Sequence, residues 1–285
     1  MTPRAREWRW PNDAKVAVTI GLAFEGFEAY SQFRTYNPEQ KVNHFSLSFA
    51  DYGWKAGAWR LMSLLERLGL RGQVYTNGLA AEQHPDVVAA MAAAGHEIVG
   101  HGWVNDHHLF TDNDYEKERD EIRRCTRALT DAAKVRPVGW VSPAYMGSKN
   151  TLELLKAEGY IWSGDDASDD LPFLKPTPNG DMVIMPVTGY ASNDLGMWLT
   201  PRNPPSIIWE GFKDTLDCML EEAQSGYAGW TEIVLHCHIA GRPTLIPTIR
   251  RCLEYAIEHG ALIVPRLELA EWTLKQAGRS SAART

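Results

Sequence analysis

Short apolar runs alternate with longer helix-period segments along the 285-residue chain, which predicts an α/β fold: a distorted (β/α) barrel of about seven parallel strands. Polar residues gather just past the C-terminal ends of those runs, where barrel enzymes carry their chemistry. No GxGxxG follows the first run, so a doubly wound dinucleotide-binding sheet is the weaker alternative.

Val16–Phe24 (VAVTIGLAF) is an uninterrupted uncharged run and reads as a buried strand. Ala56–Leu68 repeats its apolar residues at helical spacing and stops at Gly69. Gln73–Thr76 is a second strand, and Pro85–Ala94 a helix opened by proline and closed by Gly95. Strand Glu97–Gly100, helix Asp114–Thr130, strand Val138–Ser142 and helix Asn150–Glu158 follow. Tyr160–Ser163 and Met182–Val187 read as strands, Pro205–Gln224 as a helix, and Glu232–Leu235 as a strand. Helix Thr244–His259, strand Ala261–Val264 and helix Arg266–Lys275 close the series. Residues 25–55 and 165–181 read as long loops. With no linker or repeat, residues 1–285 read as a single barrel domain with a loop-rich segment at 1–55.

The 29 basic and 36 acidic residues, net charge -7, give no electrostatic reason to bind nucleic acid or anionic membrane. No apolar stretch reaches the length of a membrane span, and the N-terminus lacks a signal-peptide run. Cys125, Cys218, Cys237 and Cys252 are scattered with no CxxC pair, so the expectation is a reduced, cytoplasmic protein. The expected partner is a small-molecule substrate.

Residues 95–108, GHEIVGHGWVNDHH, hold four of the nine histidines. His101 follows its strand directly, whereas His96 precedes it at the other end of the barrel. The first strand delivers Glu25 and Glu28, the fourth Ser142, the fifth Asp165 and Asp166, and the strand near 235 His236 and His238. Strand alternation puts His236 and His238 on one face and turns Cys237 away. Imidazole and carboxylate at strand ends suit general acid–base work.

GLAFEGFE, GHEIVGHGW, RPVGWVSP, DDASDDLPF and LHCHIAGRP together resemble the polysaccharide deacetylase (NodB-homology) superfamily over nearly the whole length. YGWKAGAWRLM, DDLPF and HCxxxGRP resemble its intracellular branch of allantoinase-like and cyclic-imide hydrolases. The resemblance implies a NodB-type barrel, hydrolysis of amide C–N bonds and a homo-oligomer, expected as a tetramer. It implies Glu25 and His101 as ligands of a divalent metal such as zinc. The second histidine position is Asn105, and the base position falls on Ala23 or Phe24, neither of which can take a proton. His107 or His108 is the alternative third ligand. The departure favours a version that works without the metal.

The main expectation is therefore a hydrolase of a small cyclic amide, imide or ureide, with Glu25, His101 and His236 catalytic. Trp103 and Trp140 are expected as walls for a flat ring, and Ser142, Tyr145, Asp165 and His238 as further substrate contacts. The alternatives are a metal-dependent N-deacetylase of an aminosugar or acylated small molecule, and a non-hydrolytic descendant.

Overall fold

The computed structural model describes residues 7–28, 44–106 and 114–278. Nine strands among these residues form one sheet: β1 (Val16–Phe24), β2 (Gln73–Thr76), β3 (Glu97–Gly100), β4 (Gly139–Trp140), β5 (Trp162–Ser163), β6 (Phe173–Thr177), β7 (Gly180–Ile184), β8 (Gly229–His236) and β9 (Leu262–Ile263). Their order is β6-β7-β5-β4-β3-β2-β1-β8, with β9 also on β1. Every pairing is parallel except the β6–β7 hairpin. The sheet curls into a half-barrel, and β8 and β6 stand at its two ends.

β1 is the centre of this arrangement. All nine of its residues are buried, as a parallel strand covered on both faces requires. β8 pairs with it from Val16 to Ala23, so β2 (Gly21–Phe24) and β9 (Ala17, Val18) divide its other edge. Val16, Val18, Ile20, Leu22 and Phe24 pack outward under the helices. The alternate residues Ala17, Thr19, Gly21 and Ala23 are small because the barrel interior behind them is occupied. A side chain at Gly21 would meet the Tyr75 ring at 2.6 Å and the Glu232 carboxylate at 2.9 Å.

Those two groups belong to a polar plug inside the barrel. Arg266 donates to both Glu232 oxygens, from Nε at 3.2 Å and Nη2 at 2.7 Å; Gln73 Nε2 and the Tyr75 hydroxyl also bond to Glu232 Oε1. Every member is buried, and the network gives the ion pair the extra hydrogen bonds that a buried charge needs.

Strand and helix cores fall where apolar periodicity places them, but two of the expected loops contain elements. The 25–55 stretch includes helix His44–Tyr52, which continues through a π-helical turn, Gly53–Gly57, into helix Ala58–Leu68. The 165–181 stretch includes β6, whose KPT segment alternates poorly because it is a half-exposed edge strand. β4 and β5 are two residues each, shorter than their apolar runs. β8 is eight residues, longer than the expected four. It ends at His236, and Cys237–Ala240 turns into helix, so the expected alternation of His236 and His238 along a strand does not occur. Among the described residues no helix is long and apolar enough to cross a membrane.

Candidate active site

β1, β2 and β3 end in register: Phe24 lies beside Thr76, and Thr76 beside Gly100. The next residues on the outer two strands, Glu25 and His101, therefore project from the same rim. β8 reaches that rim through the pairing of Ala23 with His236. Three strands drawn from distant parts of the chain thus converge on one carboxylate.

Glu25 is the centre of the group. Its side chain is only 4% exposed, with Oε1 3.6 Å from His101 Nε2 and 3.7 Å from His236 Nε2. Oε2 lies 4.0 Å from His238 Nδ1. Burial pushes the Glu25 carboxyl up, but the imidazoles around it, His236 foremost, outweigh it and hold the group at about 2. Glu25 is a fixed anion across the physiological range. Burial drives His238 down to about 3, so this ring is neutral there. It sits edge-on to Phe27 and Phe49, with centroids at 5.5 and 6.0 Å.

The other two imidazoles are oriented from behind. His101 Nδ1 is 2.6 Å from the Val141 carbonyl oxygen, which can only accept. The proton is therefore on Nδ1, and Nε2 presents a lone pair toward Glu25. His236 Nδ1 is 2.5 Å from Asp194 Oδ1, and Asp194 Oδ2 accepts the His236 backbone N–H at 2.8 Å. Asp194 is fully buried and was not among the expected site residues. It reaches His236 because Asn193 forms a β-bridge with Val234 and the Ser192 hydroxyl donates to Glu232 O at 2.5 Å. No local motif carries that pairing; the only sequence signal is a carboxylate in a long segment before the helix at Ser206.

Asp165 and Ser142 pair with each other. Ser142 donates from its backbone N at 2.7 Å and from its hydroxyl at 2.6 Å, one bond to each Asp165 oxygen. Tyr145, half-buried, follows Ala144 in the left-handed region (φ 60° and 52°), and its backbone N–H donates to Ser142 O at 2.8 Å.

The two expected walls are elsewhere. Trp140 is fully buried and packs outward under the helices, against Tyr160, with its N–H on the Ser142 hydroxyl at 3.0 Å. Trp103 is 9% exposed, and the Arg124 guanidinium lies 3.3 Å from its ring centre. Neither lines the cavity beside Glu25. The aromatic residues that do are Phe24, Phe27, and Trp54 stacked on His84 at 4.4 Å. Cys237 also lines it, with burial pushing its thiol well up, so it is no nucleophile. His96 accepts from Gly72 N at 3.1 Å on the opposite rim.

For a metal, Glu25 and His101 supply two donors. At the third position Asn105 offers a neutral amide whose buried oxygen has no hydrogen-bond partner among the described residues, while its backbone N–H donates to Gly26 O at 2.9 Å. His107 and His108 lie outside the described residues. Among the described residues no group of three or more His, Cys, Asp or Glu has a metal-holding arrangement. This donor set does not fit the three protein ligands of a catalytic zinc.

Residues 37–161 match the family model described as polysaccharide deacetylase. A curated Schizosaccharomyces pombe protein bearing the polysaccharide deacetylase name is 26% identical, over 93% of this chain and 92% of its own. The crystal structure of PuuE allantoinase superposes with a TM-score of 0.85 at 28% identity, covering 93% of this chain and 92% of that one. The polysaccharide deacetylase match covers residues 37–161, and the likeness to these proteins runs over nearly the whole chain. A Pseudomonas aeruginosa PAO1 structure described as a probable polysaccharide deacetylase superposes with a TM-score of 0.84 at 28% identity, over 94% and 93% of the two chains. The polysaccharide deacetylase family hydrolyses amide C–N bonds, and the half-barrel here is its fold. Ala23 and Phe24, the alternatives that the resemblance implies for the family's base position, are both buried and apolar.

Proposed function

We propose that this protein hydrolyses the C–N bond of a small, neutral cyclic amide, such as an imide or ureide. The observation that carries the reading is the carboxylate of Glu25 faced by three imidazoles, one of them backed by Asp194. The likeness to a solved allantoinase over nearly the full length supports it.

Water bound between Glu25 and His101 attacks the ring carbonyl carbon. Its proton passes to the His101 Nε2 lone pair, and the Glu25 anion stabilises the imidazolium that forms. The C–N bond then breaks, and His236 gives its Nε2 proton to the departing nitrogen while Asp194 holds Nδ1. The ring opens to a chain bearing a carboxylic acid at one end and an amide at the other. That acid ionises next to the permanent Glu25 anion and is repelled, which favours product release. No lysine or arginine lines the described part of the cavity beside Glu25 and His238, and Asp51 does, so a neutral substrate fits better there than an anionic one.

A second reading, an N-deacetylase that uses a metal, is favoured by the deacetylase name of the curated relative and by the Glu25–His101 pair. Hydrolysis of succinimide, hydantoin, allantoin and N-acetylglucosamine, before and after dialysis against a chelator, separates the two. The expected outcome is ring opening of a cyclic member that survives chelation. Deacetylation of the sugar alone, lost with the chelator and restored by zinc, sinks the cyclic-amide reading.

A further inference from the structure

We propose that Asn77 is a positioning residue whose side-chain amide spans the ends of β1 and β3 and sets the Glu25–His101 pair. Asn77 follows β2, the strand between the two that carry these groups, and is fully buried. Its Oδ1 accepts the backbone N–H of Gly26, next to Glu25, at 3.0 Å. Its Nδ2 donates to the backbone carbonyl of His101 itself. One partner can only donate and the other only accept, so a carboxamide satisfies both in one orientation, and a carboxylate cannot.

The position sharpens the point. Asn77 is the N-cap residue of helix Gly78–Gln83, where asparagine ordinarily bonds a backbone N–H of its own first turn. Here it makes no such bond. The helix is served instead by the chain beyond His101: Gly78 N donates to Gly102 O at 3.0 Å and Leu79 N to Trp103 O at 2.8 Å. Asn77, Gly78 and Leu79 thus hold residues 101–103 in sequence. The loop returns the contact through Asn105 N to Gly26 O. Past the last paired residues of β1, β2 and β3, the Asn77 amide does what a peptide of the ladder would have done.

The kinetic arm of the test rests on the hydrolase reading above; the exchange arm does not. Asn77→Ala should lower kcat on succinimide or hydantoin by about 10²-fold, as expected for a reacting group displaced by about an ångström, with KM little changed. Hydrogen exchange of the Gly26 amide should accelerate at least about tenfold, since its acceptor is gone. Asn77→Asp keeps the acceptor for Gly26 and loses the donor to His101. It should leave Gly26 protected and still depress kcat, which covers the case in which the alanine variant fails to fold. Ala81→Gly destabilises the same helix without touching the amide, and should lower the melting temperature with kcat at the wild-type level. Wild-type kcat in both Asn77 variants overturns the proposal. So does a kcat loss that Ala81→Gly reproduces at an equal drop in melting temperature. If the wild type opens neither ring, the hydrolase reading fails, and unchanged Gly26 exchange in Asn77→Ala separately overturns the clamp.

Discussion

Asp194 uses one carboxylate oxygen for the His236 ring and the other for the His236 backbone, so ring and main chain are fixed by the same group. Asp194→Asn can still accept one of these bonds but cannot stabilise an imidazolium. Its kcat should fall by about 10²–10⁴-fold, the range for a disabled acid–base group, with the melting temperature moving little. His236→Ala should fall as far, and the double variant no further, because the two act on one proton. Steady-state kinetics on the best cyclic substrate reads all three; additive losses would separate Asp194 from the proton path. Glu25→Gln keeps the shape and removes the fixed anion beside the three imidazoles. It should lose about 10²–10⁴-fold in kcat with folding unchanged, and near-wild-type turnover would remove Glu25 from the chemistry.

Glu97, the first residue of β3, ties two other elements to that strand. Its oxygens accept the Trp162 indole N–H and the Leu267 backbone N–H, each at 2.9 Å, the latter at the start of helix Arg266–Gln276. Burial outweighs both bonds and pushes the carboxyl up from 4.5 to about 7. Between those values the folded state keeps a proton that the unfolded state has released, so stability falls as pH rises through the window. A shift of this size corresponds to about 3 kcal/mol, fully lost above pH 7. Thermal melts at pH 5 and pH 8 should show this decline, and Glu97→Gln should flatten it; an equal slope in the variant refutes the assignment. The elements themselves were unevenly legible in the sequence. β1 announces itself because both faces are buried and every residue can be apolar. β6 does not, since an edge strand with lysine and proline looks like a loop. His101 and Glu25 are visible as polar residues closing apolar runs. Asp194 is not, because its partner is set by a bridge to a strand about forty residues away. Trp140 misleads for the opposite reason: it follows the strand pattern, but the face it takes is the helix-packed one.

Over the whole molecule, two carboxylates have opposite pH signatures. Glu97 favours acid, whereas Glu25 is held at about 2, so its folded form gives up a proton that the unfolded chain retains. The stability from Glu25 and its imidazoles is complete above about 4.5 and lost as pH falls toward 2. Comparison of Glu25→Gln with wild type in acid denaturation should show a shallower acid limb for the variant; superimposable limbs would mean that the attraction adds nothing to the fold. The same charge that serves the reaction therefore also guards the rim of the barrel against acid.

β1 finds its long partner only at β8, and the Trp10 indole beside it bonds to Gly229 O, 219 residues along the chain. During synthesis β1 emerges well before β8 and waits with that edge open in the interval. Such an apolar parallel edge invites pairing with the wrong chain. Loop closure over this distance also slows refolding relative to a helical protein of the same size. A ribosome stalled before residue 236 holds Glu25 without two of its three imidazoles, so a truncated chain has neither a sealed β1 nor a working site. Assembly of the rim waits for β8 and the turn after it.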